Sequence, residues 1–140
     1  MMSVTGTYEH NMDAKGRLFV PAKLRELLGE KSYLTMGMDQ CLAVYPQESW
    51  EKFTAKFEAL PSSVSKKMRP LFANTVSCEP DSQGRVVIPP ALREYAGLSK
   101  EVMIVGVHDR AEIWDAARWR ESQAATTPED MSALMEELGF

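Results

Sequence analysis

Residues Asp13 to Gly29 (DAKGRLFVPAKLRELLG) align without a gap on residues Asp81 to Gly97 (DSQGRVVIPPALREYAG), at an offset of 68. Asp, Gly, Arg, Pro, Leu, Arg, Glu and Gly recur in register, so the chain is built from two copies of one small unit. With one inserted residue the match continues at an offset of 69, where Gly37 falls on Gly106, Val44 on Ile113, Tyr45 on Trp114 and Trp50 on Trp119. A unit this short buries too little apolar surface to fold alone. The two copies are therefore expected to intertwine around one shared core, as a pseudo-two-fold α+β domain.

Each copy reads as strand, tight turn, strand, short helix and two more strands. Thr7 to Met12 and Asn74 to Glu79 are extended candidates, and Gly16 and Gly84 supply the positive φ of a hairpin turn. Leu18-Phe19-Val20 and Val86-Val87-Ile88 favour β structure and stop at a proline that suits a helix start. Helices are expected over Pro21 to Leu28 and Pro89 to Ala96, each followed by a capping glycine. Further strands are expected over Tyr33 to Met38, Leu42 to Tyr45, Val102 to Val107 and Glu112 to Trp114. Trp50, Phe53, Phe57 and Leu60 form one stripe of an amphipathic helix, and Trp50 and Trp119, at matching helical positions, are read as core residues. Pro61 breaks it, and Val64 to Phe72 is a second helical candidate. This divides the chain into a first repeat (5–52), a helical connector (53–73), a second repeat (74–120) and an acidic helical tail (121–140), where Met131, Leu134, Met135 and Leu138 recur at helical spacing behind a Thr127-Pro128 start.

A net charge of −4 over 140 residues argues at first against a polyanionic partner. Five of the 20 acidic residues, however, lie in residues 121–140, which contain no Lys or Arg, and this leaves 15 acids against 16 bases in residues 1–120. The body is near neutral, and global charge decides nothing. The longest apolar or glycine run, Val102 to Val107, is far short of the ~20 residues that span a bilayer. Met1 to Gly6 has neither the basic start nor the apolar stretch of a secretory signal, so the expected location is the cytoplasm. Cys41 and Cys78 belong to no Cys-x-x-Cys pair and are read as reduced, partly buried thiols. His10 and His108 lack metal-ligand spacing and are read as structural or solvated. No cofactor or metal is expected.

Chemistry concentrates in the repeated turn. The carboxylate of Asp13 or Asp81 can accept turn N–H groups and face Arg17 or Arg85, holding the guanidinium in a defined direction. Either this couple only fixes the hairpin, or it also aims an arginine at phosphate or at guanine O6 and N7. The first copy carries Lys15, Arg17, Lys23, Arg25 and Lys31 against Asp13, Glu26 and Glu30. The second carries Arg85, Arg93 and Lys100 against Asp81, Glu94 and Glu101, with Gln83 in place of Lys15. The first copy is thus the stronger candidate contact, and Arg25 and Arg93, each followed by Glu on a helix, rank behind the turn residues.

The Asp-x-x-Gly-Arg pattern followed by three apolar residues and Pro resembles the swapped-hairpin (double-split β-α-β) fold of AbrB-like DNA-binding regulators. Two tandem copies, opened by Tyr8-Glu9-His10-Asn11-Met12-Asp13-Ala14-Lys15-Gly16-Arg17, resemble the MraZ family of transcriptional regulators over about residues 5–120. The resemblance implies a cytoplasmic, nucleoid-associated protein that binds double-stranded DNA at promoter repeats as a ring-like homo-oligomer such as an octamer, and represses its own cell-division and cell-wall gene cluster. It implies no membrane and no small-molecule substrate. Lys15, Arg17, Gln83, Arg85, Lys23, Arg25 and Arg93 become DNA-binding candidates, organised by Asp13, Gly16, Asp81 and Gly84. A carboxylate dyad of Asp13 and Asp81 is the enzymatic alternative, opposed by the Arg four residues after each Asp. A structural or antitoxin-like protein-interaction module without DNA binding is the other.

Overall fold

The computed structural model describes residues 3–140; Met1 and Met2, which open the N-terminal stretch considered above, lie outside the described residues. The first copy supplies β1 (Thr7–Asn11), β2 (Arg17–Phe19), α1 (Ala22–Leu28), β3 (Ser32–Met36), β4 (Leu42–Pro46) and α2 (Gln47–Glu58). Two short helices, α3 (Ser62–Ser65) and α4 (Arg69–Ala73), connect it to the second copy. There the order repeats as β5 (Val76–Ser77), β6 (Arg85–Val87), α5 (Pro90–Ala96), β7 (Glu101–Gly106), β8 (Ala111–Asp115) and α6 (Ala116–Ala124), and α7 (Pro128–Glu137) closes the chain.

The copies exchange strands. An antiparallel six-stranded sheet runs β1-β7-β8-β4-β3-β5, so the first strand of each copy pairs with the third strand of the other. A separate two-stranded ribbon joins β2 to β6. Sequence-equivalent residues face each other in both sheets: Leu18 opposite Val86 in the ribbon, and Ala43 opposite Glu112 where β4 meets β8. The pseudo-two-fold axis passes through these two pairs. Swapping joins two undersized apolar faces into one interior, as expected from unit size.

That interior holds Leu18, Val20, Leu24 and Leu28 from the first copy against Val86, Ile88, Leu92 and Ala96 from the second, closed by Leu34, Val44, Ile104 and Ile113 of the large sheet. Each of these Leu, Ile and Val side chains contributes about 1.5–3 kcal/mol on burial. Pro21 and Pro89 precede the two short helices, and Gly97 ends α5 in the left-handed conformation, with the Leu98 N–H donating to the Arg93 carbonyl at 3.0 Å.

Three expectations are corrected. The strand expected over Asn74 to Glu79 shrinks to Val76–Ser77, because Asn74 Nδ2 and the Thr75 hydroxyl donate back to the Pro70 and Leu71 carbonyls of α4, each at 2.8 Å. The helix expected over Val64 to Phe72 is broken into α3, a 3-10 turn at Lys66–Met68 and α4, with Pro70 in the first turn of α4. Trp50 and Trp119 are half-buried rather than core: Trp50 stacks on Tyr33 and Phe53, and Trp119 meets buried Trp114 edge-on.

Candidate nucleic-acid interface

Both hairpin turns are built alike. In the first, Asp13 Oδ1 accepts the backbone N–H groups of Lys15 and Arg17, each at 2.9 Å, while Oδ2 accepts Arg17 Nε at 2.6 Å. In the second, Asp81 Oδ1 accepts the N–H groups of Gln83 and Arg85 at 2.9 Å, and Oδ2 accepts Arg85 Nε at 3.1 Å. The backbone bond from Arg17 or Arg85 is the largest cause that holds each carboxyl below the usual aspartate value, against a desolvation that works the other way. An ionised Asp therefore fixes one edge of each guanidinium. The terminal nitrogens of Arg17 and Arg85 have no protein hydrogen-bond acceptor among the described residues. They are preorganised donors of the kind that reads phosphate or guanine.

Gly16 and Gly84 adopt φ of +78° and +79°, which the turn requires and an L side chain disfavours. Each turn is then stitched to the opposite copy: the Val20 N–H donates to the Gly84 carbonyl at 2.9 Å and the Ile88 N–H to the Gly16 carbonyl at 2.8 Å. The ribbon register sets Arg17 opposite Val87 and Phe19 opposite Arg85. Because side chains alternate along a strand, Leu18 and Val86 point into the core while Arg17, Phe19, Arg85 and Val87 share the outward face. Two arginines therefore stand on one small ribbon, roughly 7 Å apart along the strand direction.

The other candidate residues occupy distinct places. Lys15 and Gln83 are exposed in the turns, and Lys23 is exposed on α1. Arg25 and Arg93 reach across the pseudo-axis to the turn of the opposite copy. A Cβ at Gly84 would lie 3.2 Å from Arg25 Cζ, and one at Gly16 would lie 2.9 Å from Arg93 Cζ. Arg25 Nε donates to the Val20 carbonyl at 3.0 Å, whereas Arg93 Nε is buried with no hydrogen-bond partner among the described residues. The Glu neighbours of these two arginines give no sign in sequence that strand exchange carries each helix beneath the other copy's hairpin.

Phe19 and Val87 were not singled out by sequence, yet they are 37% and 61% exposed on the outward face between the arginines. Their signal was present: each lies two residues after its turn arginine, hence on the same side of the strand. His10 packs edge-on against Phe19 at 5.2 Å between ring centroids, and the His108 ring accepts or donates a 2.8 Å hydrogen bond with the Ser3 hydroxyl.

The antiparallel register puts the turns at opposite ends of a three-residue ribbon, about 10 Å long. Asp13 and Asp81 are each consumed by their own turn and share no proton site, which removes the carboxylate-dyad alternative. Cys41 is buried, and burial pushes its thiol up to about 12; Cys78 is half-buried and also raised by burial. Burial thus disfavours in both the thiolate that a nucleophile needs. Among the described residues no group of His, Cys, Asp and Glu could hold a metal ion, and no helix is long and apolar enough to cross a membrane.

The family described as "MraZ protein, putative antitoxin-like" matches residues 3–69 and again residues 71–138. Relatives named "Transcriptional regulator MraZ" include one from Halothermothrix orenii, 46% identical over 96% of this chain and 98% of its own length. Another, from Carboxydothermus hydrogenoformans, is 51% identical over 81% of this chain and 82% of its own. A third, from Acetivibrio thermocellus, is 47% identical over 91% and 90% respectively.

Proposed function

The chain belongs to the MraZ family, and from that premise we propose that it is a sequence-specific DNA-binding transcriptional regulator whose contact surface is the outward face of the β2–β6 ribbon. The observation that carries this reading is the pair of Asp-pinned arginines, Arg17 and Arg85, set diagonally on the half-exposed outward face of one two-stranded ribbon. A two-stranded ribbon fits the major groove of B-DNA, where a bidentate arginine reads guanine and an apolar side chain meets a thymine methyl. Arg17 and Arg85 supply the first contact, and Phe19 and Val87 the second. Lys15 and Lys23 add phosphate contacts at the first turn, and Gln83 adds an uncharged one at the second. Arg25 and Arg93 act from beneath, where they support Gly84 and Gly16 and add positive potential.

The function is regulatory rather than catalytic. Following the family pattern, the protein works in the cytoplasm on the nucleoid, as a ring-like homo-oligomer bound to repeated sites upstream of its own cell-division and cell-wall gene cluster, and represses that cluster. A ring multiplies modest single-ribbon affinities, since each further engagement is intramolecular. The antitoxin-like label of the family and the exposed apolar stripe of α7 favour a protein-interaction module as the second reading. A mobility-shift titration with the DNA upstream of the protein's own gene separates the two. Retarded, salt-sensitive complexes support the regulator; absence of binding at low salt, where electrostatic attraction is strongest, supports the interaction module.

A further inference from the structure

Two surfaces of this chain are left open and match each other. The first is α7. Met131, Leu134, Met135 and Leu138 lie at i, i+3, i+4 and i+7, one stripe of the helix, and are 59%, 55%, 47% and 66% exposed. The helix is firmly made, with the Thr127 hydroxyl accepting the Asp130 N–H at 3.1 Å and the Asp130 carboxylate accepting the Thr127 N–H at 3.2 Å. A helix so well capped that buries nothing is a docking element awaiting a surface. Asp130 and Glu137 border its stripe, and no base lies anywhere in residues 121–140.

The second surface is a groove of about 930 Å³ between α2 and the connector, floored by Met36, Phe53, Phe57, Met68 and Leu71. Its rim is basic. Lys56 and Lys67 have no ion-pair partner among the described residues, and Lys52 reaches Glu48 only at 3.6 Å. The one carboxylate on the lining, Asp109, is bound to Arg110 at 2.8 Å. An apolar trough edged by uncompensated lysines suits an acidic amphipathic helix of about 15 Å, the length of α7. Within one protomer both surfaces stay uncovered, so α7 does not fill its own groove.

We propose that α7 of one copy docks, stripe inward, in the α2–connector groove of the next copy, with Asp130 and Glu137 facing the rim lysines. Helix and groove are different surfaces, so the contact is heterologous, and successive copies must close into a ring or continue as a filament. The docking rests on the self-assembly proposed above and names the segment that carries it.

The test is the solution mass of the full chain by light scattering at micromolar concentration. Wild type is expected to exceed the single-chain 15.7 kDa severalfold. Leu134→Glu, at a position 55% exposed, and Lys56→Glu with Lys67→Glu should each reduce the mass to that of one chain, with unchanged circular dichroism. Mixing these two proteins should give a dimer, because one retains a sound groove and the other a sound helix. Adding Glu137→Lys to the lysine double variant, which leaves the Thr127–Asp130 capping box intact, should restore part of the assembly. A wild-type monomer would overturn self-assembly itself. An assembled wild type whose mass survives Leu134→Glu would overturn the helix-groove contact alone and leave the ring to other surfaces.

Discussion

The guanidinium of Arg93, carried on α5 of the second copy, lies on Gly16 in the hairpin turn of the first: a Cβ there would stand 2.9 Å from Arg93 Cζ and 3.0 Å from the Ile88 carbonyl oxygen. Gly16 is thus fixed twice, by its φ of +78° and by what is packed over it. Gly16→Ala is expected to destabilise the protein by about 1–3 kcal/mol, combining left-handed strain with steric displacement of backbone. Gly97→Ala, where φ is also positive but no atom lies within 4 Å, should cost about 1 kcal/mol or less. Thermal denaturation of both variants decides; equal losses would mean that Arg93 yields freely.

The turns differ in charge at one position, and that difference is reversible by mutation. Gln83→Lys gives the second turn the cation that Lys15 provides in the first. It should tighten DNA binding and steepen the dependence of log Kd on log salt concentration by about one per engaged turn. Lys15→Gln should flatten that dependence equally. Fluorescence anisotropy across a salt series measures both, and unchanged slopes would remove position 15/83 from the phosphate contacts.

Acid should loosen the turns before it unfolds the core. The folded-state values of Asp13 and Asp81 lie below the ordinary 3.8, so their contribution is present above that value and is lost as pH falls through the lower, folded value. NMR titration of the two carboxyls should give midpoints below 3.8. Asp13→Asn should leave Arg17 mobile and weaken DNA binding at neutral pH while the protein remains folded. Ordinary midpoints for both carboxyls would show that the hydrogen bonds do not organise the turn.

Truncation after Ala124, which spares α6, separates the two sites. The affinity of one protomer for a single DNA site should be unchanged or improved, because residues 125–140 carry only acidic charge. Affinity for a promoter with several repeats should fall as avidity is lost. Paired titrations on one-site and multi-site DNA check this, and a loss on the single site would place the tail within the DNA contact.

The repeat, its Asp-Arg turn and the need to intertwine were legible because each rests on local chemistry or on unit size. Which strand pairs with which was not, since the partner of Leu18 is Val86, 68 residues away, and no periodicity within β2 encodes it. The same exchange hid the role of Arg25 and Arg93, whose neighbours in space are turns of the other copy. The stripe of Trp50, Phe53 and Phe57 announced an amphipathic helix, but only the packed structure distinguishes Trp50, stacked on Tyr33, from the Phe53 and Phe57 edges that face an open groove. Phe19 read as an ordinary strand residue; it lies on the outward face of the ribbon, partly covered by His10 and 37% exposed.

Whether the outward ribbon face binds DNA is decided by an anisotropy titration of upstream promoter DNA with Arg17→Ala, Arg85→Ala and the double variant, each shown by light scattering and circular dichroism to be assembled and folded like wild type. Each engaged arginine lost should cost about 1–3 kcal/mol if it reads a base, with the larger loss at Arg17 because Lys15 supports the first turn. The double variant should show near-abolished binding to repeated sites. Wild-type affinity in that folded, assembled double variant would contradict the account and leave both arginines as scaffold for their turns.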